Sequence, residues 1–250
     1  ERDYFFVLGF WAWGCLAGYG AMALVRARGW PVWTALAVAL LPLAGNWRVM
    51  DRSREPAASA ARDVARALLE SAPAGAVLFA AGDNDSYPVW YAQQVEGMRR
   101  DVLLVTLPLL PADWYSDEIQ RRTGWHWPTD AYVPGAVWRH EQRAALIART
   151  ARDAGRPVAA SPALSARERA LLGSAWMLHG VDYLSARPAT GLVEEATIDS
   201  AVARRWLAPR RSGAAGDLAP VDDAVMTMLA YLDCPRLALA DSGFRRAWRD

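Results

Sequence analysis

The chain contains no lysine, so its basic complement is all arginine, and 28 basic residues against 27 acidic ones leave a formal net charge of +1. So even a balance gives no general electrostatic pull toward nucleic acid, and no nucleic-acid partner is expected. Cysteine is scarce: Cys15 lies inside an apolar run and Cys234 near the C-terminus. No Cys-x-x-Cys pair and no Cys/His spacing suited to zinc occurs. Glycine is missing from the spacing that phosphate-cradling loops need. Neither Ser161 nor Ser174 stands in a nucleophile-elbow pattern. No internal repeat or low-complexity tail is present. The first residue is Glu1, not Met, from which upstream sequence is expected.

Charge is also missing from two long stretches, Tyr4 to Val25 and Gly29 to Trp47. The hydrophobic fraction is 53%, above the roughly 45–50% of soluble chains, and the excess is concentrated in these first residues. A helix needs about 20 apolar residues to cross a hydrocarbon core. Tyr4, Trp30, Trp33 and Trp47 lie where interfacial aromatic rings are favoured. Gly9, Gly14, Gly18 and Gly20 would allow close helix approach, Pro31 starts the second run and Pro42 would kink it. Residues 1–50 are therefore expected to form a transmembrane hairpin, with helices over about 4–25 and 30–47, in a multi-pass protein. The bilayer and upstream membrane helices are its expected partners. A buried hairpin of a soluble protein rarely lacks charge over such lengths, and neither run ends in a small-residue cleavage site. Two spans put Glu1 and the following domain on one side. The turn carries Arg26 and Arg28 against Arg2, Arg48, Arg52 and Arg54 on the other side, a count that leans toward a cytoplasmic domain.

Residues 51–250 read as a soluble α/β domain with a helical C-terminal end. A helix is expected within Ser53–Glu70, with Val64, Ala65, Leu68 and Leu69 on one face. Ala76–Gly82 and Asp101–Leu107 read as buried strands around a helix from about Ser86 to Glu96 capped by Gly97. Further helices are expected from Asp113 to near Gly124 and over Val137–Ala154. A strand follows at Arg156–Ser161, then a short helix behind the Ser165-x-x-Glu168 capping box, then one strand over Trp176–Leu184. Asp199 suits a cap for a helix through Leu207, residues 208–220 read as a loop, and Val221–Leu232 and Leu237–Trp248 as closing helices. Continuous apolar strands alternating with helices predict a mostly parallel, Rossmann-like, three-layer α/β domain.

Gly82-Asp83-Asn84-Asp85-Ser86-Tyr87-Pro88 follows a buried strand and opens a helix, the place where open α/β sheets bind ligands. Asp83 and Asp85 together suit a hard divalent cation, and the loose Asp-x-Asp pattern occurs in nucleotide-sugar glycosyltransferases. Asp83, Asn84, Asp85, Ser86, Tyr87 and Trp90 are the candidate ligand-binding residues, with Asp83 and Asp85 the candidate metal ligands. A helix start is the stronger reading of the same residues, since Asp, Asn and Ser cap, proline suits the first turn and acids favour the helix N-terminus. Trp125-His126-Trp127-Pro128 would stack on a sugar or fold onto the core. His140 and His179 lack a metal-binding partner, and Glu194-Glu195 reads as a solvated pair.

Three stretches resemble the C-terminal part of multipass membrane proteins related to protein O-mannosyltransferase: Glu1-Arg2-Asp3-Tyr4-Phe5-Phe6, Asn46 to Ser53, and, most specifically, Leu78–Tyr115. Arg156–Leu184 is similar more loosely. The resemblance implies a membrane-embedded glycosyltransferase that moves a sugar from a lipid-phosphate carrier to a protein hydroxyl. It implies a catalytic acid in an early loop outside this chain, so no catalytic residue is assigned here. The soluble domain would then be extracytoplasmic and accessory, with lipid-linked sugar and protein acceptor as partners, against the arginine count.

Overall fold

The computed structural model describes residues 6–51, 53, 57–128, 135–187, 197–198 and 223–240. They fall into two compact units, a helical pair that ends before Ser59 and an α/β unit that begins there.

In the first unit α1 (Val7–Arg28) is followed by α2 (Trp33–Met50). Helix α1 ends in left-handed Gly29 (φ 64°), whose N–H bonds the Arg26 carbonyl, with Arg26 and Arg28 in the last turn. This helix is long and apolar enough to cross a membrane, and of its described side chains only Val25 is buried by protein. Phe10, Trp11, Trp13, Leu16 and Tyr19 all face outward, a surface whose contact with water would be costly. Helix α2 is shorter in its apolar part, Trp33–Trp47, and contains Pro42.

The second unit runs α3 (Ala60–Ser71), β1 (Val77–Ala80), α4 (Asp83–Gln94), β2 (Leu103–Thr106), α5 (Asp113–Thr123), α6 (Arg139–Asp153), β3 (Val158–Ala160), α7 (Ala166–Leu172), β4 (Ser174–His179), β5 (Asp182–Arg187) and β6 (Thr197–Ile198), and closes with a C-terminal helix, Asp223–Ala240. The strands form one sheet in the order β2-β1-β3-β5-β4-β6. Strand β1 is parallel to both β2 and β3, and β4 to β6, while β5 is antiparallel to β3 and β4. The sheet is therefore mixed, not mostly parallel as expected.

The reason is local. The apolar run Trp176–Leu184 is two strands, joined by a two-residue turn in which His179 pairs with Asp182. Gly180, first in the turn, has φ 67°, a conformation that glycine adopts without steric cost and that tight hairpins favour. Hydrophobicity continues through Val181, which is buried, so the apolar pattern conceals the reversal.

Alternation along the strands builds two cores. Val77, Phe79, Leu103, Val105, Val158 and Ala160 face a cluster shared with Ile119, Ile147 and Leu172. Leu78, Ala80, Leu104 and Ala159 face the opposite cluster with Val64, Leu68, Val89 and, more peripherally, Met228 and Tyr231. Helices thus cover both faces of the sheet, which is the three-layer arrangement that strand apolarity on both sides demands. Helix α3 is buried on the face predicted from its spacing. Arg99 ties down its C-terminal end by donating to the carbonyls of Leu69 (2.7 Å), Ala72 and Pro73 (each 3.0 Å).

Two helix boundaries shift. Helix α4 begins at Asp83 instead of Ser86, so Pro88 lies inside the helix, where its missing N–H leaves the carbonyl one turn back without its usual donor. The two expected closing helices are one within the described residues, ending at Ala240. Residues 241–248, the expected helix Asp199–Leu207, the loop 208–220 and Glu194-Glu195 lie outside the described residues.

Candidate functional site

The acidic turn forms the start of α4, with extended Gly82 as its N-cap. Asp83 is exposed and Asn84 half-buried, whereas Asp85 and Ser86 are buried. Residues two apart on a helix do not face each other, so Asp83 and Asp85 diverge. The Asp85 carboxylate turns back and accepts from the amides of Gly82 and Ala81, each at 2.9 Å. This is the reciprocal half of a capping box, and the third helical position carries it. Among the described residues no group of three or more His, Cys, Asp or Glu side chains is placed to hold a metal.

Asp85 has a second neighbourhood. Ser161, which follows β3, stands close enough to help stabilise its carboxylate, and the Ser161 amide donates to the Phe79 carbonyl at 2.8 Å. One residue beyond the paired Ala160 and Tyr183 stand Ser161 and Asp182. Asp182 is 1% exposed, and among the described residues neither of its carboxylate oxygens has a hydrogen-bond partner. Burial pushes the Asp182 carboxyl far above the ordinary range, and the charge on Asp85 pushes the same way. Burial raises Asp85 as well, against the amide bonds from Ala81 and Gly82 and the nearby Ser161 hydroxyl, which favour its ionised form. Tyr231 of the C-terminal helix is pushed up to about 12, by burial and then by the Asp85 charge. The sequence offered no sign of Asp182, because its role depends on the hairpin that carries it to the ends of β1 and β3.

A second feature opens on the other side of α4. A cleft of about 300 Å³ between α4 and α5 is lined by Trp90, Gln93, Gln94, Leu104, Trp114, Tyr115, Glu118, Ile119 and Arg122. Trp114 is 63% exposed and stands edge-on to Tyr115, with ring centroids 5.5 Å apart. Trp90 is partly covered and tilted against exposed Tyr87 at 5.6 Å. Gln93 is committed, donating to the Val102 (2.9 Å) and Arg99 (3.1 Å) carbonyls, whereas Gln94 and Arg122 are exposed. Of the predicted site residues, Trp90 alone reaches this cleft.

The remaining candidates are structural. Trp127 is buried in the core and Arg156 covers the Trp125 ring at 5.5 Å, so the Trp125–Pro128 segment presents no open stacking platform. His179 Nδ1 lies 2.8 Å from the Ser71 carbonyl. Cys15 and Cys234 are both free.

No curated protein and no solved structure matches the chain. Residues 61–179 match the family model of TMEM260-associated domain 2, a stretch that begins in α3, ends with β4 and contains every residue lining the cleft.

Proposed function

We propose that this chain is the membrane-attached C-terminal part of a glycosyltransferase-like protein that uses a lipid-phosphate sugar donor and a protein acceptor. Helices α1 and α2 form its transmembrane hairpin, and the α/β unit is an extracytoplasmic accessory domain that contributes to carrier or acceptor binding. The cleft between α4 and α5 carries this reading. Two indole rings give flat apolar faces of the kind that stack on sugar rings, and Gln94 and Arg122 at the rim supply hydrogen-bond donors and a positive charge for hydroxyl or phosphate groups. Six of the nine lining residues fall within Leu78–Tyr115, the stretch with the strongest resemblance to the O-mannosyltransferase-related proteins. The match of residues 61–179 to TMEM260-associated domain 2 is consistent with this resemblance at the family level.

Glycosyl transfer in membranes containing the protein is the test, comparing wild type with Trp114→Ala and Arg122→Ala at matched folded amounts. Both side chains are exposed, so folding should survive the changes. Transfer should fall about tenfold or more if each removes one stacking or charge-assisted contact, worth roughly 1.4 kcal/mol. Undiminished transfer in both variants would remove the cleft from the working surface.

A further inference from the structure

We propose that the carboxylates of Asp85 and Asp182, together with the Ser161 hydroxyl, form a buried site for a hard divalent cation at the carboxyl ends of β1 and β3. The position follows from topology. Helix α4, which leaves β1, packs on the face that contains Leu78 and Val89, whereas α6, which precedes β3, packs on the face that contains Phe79 and Ile147. The chain therefore departs to opposite sides of the sheet between β1 and β3. Such a switch point opens a crevice outside the strand ends, and ligands of open α/β sheets bind there.

Three oxygen-bearing side chains converge on this crevice from different elements. Asp85 comes from the first turn of α4, Ser161 from the end of β3 and Asp182 from the start of β5. Asp85 is oriented by the amides of Ala81 and Gly82, the kind of outer contact that fixes a ligating carboxylate. Those donors, and Ser161, stabilise its ionised form. Asp182 is the anomaly: 1% exposed, with both oxygens unpartnered among the described residues, beside a second carboxylate.

Among the described residues no arginine pairs with it. Arg169 lies over the ring of neighbouring Tyr183 at 4.2 Å and donates to the Leu164 carbonyl. Tyr231, on the C-terminal helix, offers a hydroxyl and no charge. A lone buried carboxylate carries a heavy desolvation penalty. A proton on Asp182 would relieve one oxygen and leave the other without a donor. A divalent cation engages oxygens of both carboxylates at once and cancels their repulsion. Oxygen-only ligation suits Mg²⁺, Mn²⁺ or Ca²⁺ and disfavours softer metals. This site is separate from the α4–α5 cleft and does not rest on a glycosyltransferase function. It also replaces the pairing of Asp83 with Asp85, since Asp83 faces outward.

The test uses the whole chain in detergent micelles, stripped with EDTA, and titrates Mn²⁺ by the loss of its free-ion paramagnetic resonance signal. Thermal melting in Mg²⁺, Mn²⁺ and Ca²⁺ runs in parallel. Wild type should bind one Mn²⁺ and melt about 5 °C higher with saturating cation. Asp182→Asn should lose both responses while melting no lower than wild type in EDTA, because the change removes a buried charge and keeps the shape. Ser161→Ala should weaken binding, and Asp83→Asn should bind like wild type. Absence of binding by wild type, loss of binding in Asp83→Asn with retention in Asp182→Asn, or a melting point that responds to acid and to no cation would each overturn the proposal. The last outcome would assign a shared proton to the carboxyl pair.

Discussion

The hydroxyl of Tyr115 accepts a hydrogen bond from the backbone amide of Thr106 at 2.9 Å and donates to the Leu104 carbonyl at 3.5 Å. Among the described residues strand β2 is the edge of the sheet, so these backbone groups face the side where no described strand follows. One side chain from α5 thus stands in for a neighbouring strand and closes an edge that would otherwise invite pairing with another chain. It also fixes α5 against the sheet, and with it Trp114 and the cleft wall.

Tyr115→Phe keeps the ring and leaves the Thr106 N–H and Leu104 C=O buried without that partner. Stability should fall by about 1–3 kcal/mol, the cost of unsatisfied buried groups, read as a lower melting midpoint. An unchanged midpoint would mean that water replaces the hydroxyl.

Arg143 of α6 is 1% exposed and donates to the Leu110 carbonyl at 2.7 Å while also pairing with Asp113. It joins α6 to the start of α5 through a buried stem. Arg143→Ala should cost about 2–4 kcal/mol by opening a cavity and orphaning the Leu110 carbonyl. Arg143→Met should recover part of that loss, because its length refills the space. Equal melting of the two variants would show that the stem contributes nothing.

Asp101 receives Arg99 at 2.9 Å and the Gly75 amide at 2.9 Å. The Arg99 guanidinium, chiefly through its hydrogen bond, holds the Asp101 carboxyl well below the usual carboxylate range. A folded-state pKa below the unfolded one means that the unfolded chain binds the proton more readily. The contribution is therefore present at neutral pH and is lost as the pH falls through the carboxylate range toward the folded pKa. Wild type should be more stable than Asp101→Asn near pH 7, with the two curves converging in acid. A difference that does not shrink as the pH falls through the carboxylate range would assign the effect to shape, not charge.

Ser165 caps α7: its hydroxyl accepts from the Glu168 amide at 3.3 Å, and Glu168 accepts from the Ser165 amide at 2.7 Å. Ser165→Ala should cost about 1 kcal/mol, and Ser165→Asp should cost much less. Denaturation midpoints of both variants against wild type decide this, and identical losses would show that the hydroxyl does not cap.

The elements that were legible in the sequence are those whose signals are local. Charge-free length marks the apolar helix Val7–Arg28, and helical spacing of Val64, Ala65, Leu68 and Leu69 marks the buried face of α3. Gly124 and the Ser165–Glu168 pair mark the end of α5 and the start of α7. Such signals depend on neighbours within a turn or two, which the chain carries with it wherever it folds. Strand direction is different. Val77, Val158 and Leu184 are apolar whichever way their strands run, so the antiparallel hairpin, and with it the mixed sheet, appears only when strands pair.

The site divides along the same line. The sequence marked Asp83 to Trp90 as the start of a helix behind a strand, and that much depends on local chemistry alone. Helix rotation then turned Asp83 outward and Asp85 inward, and the hairpin brought Asp182 to the inward carboxylate. The α4–α5 cleft joins Trp90 to Trp114 and Arg122 across a sheet edge. Side chains distant along the chain meet only when packing fixes the facing of each element, so local composition specified the helices and strands, and the tertiary structure alone decided which residues share a site.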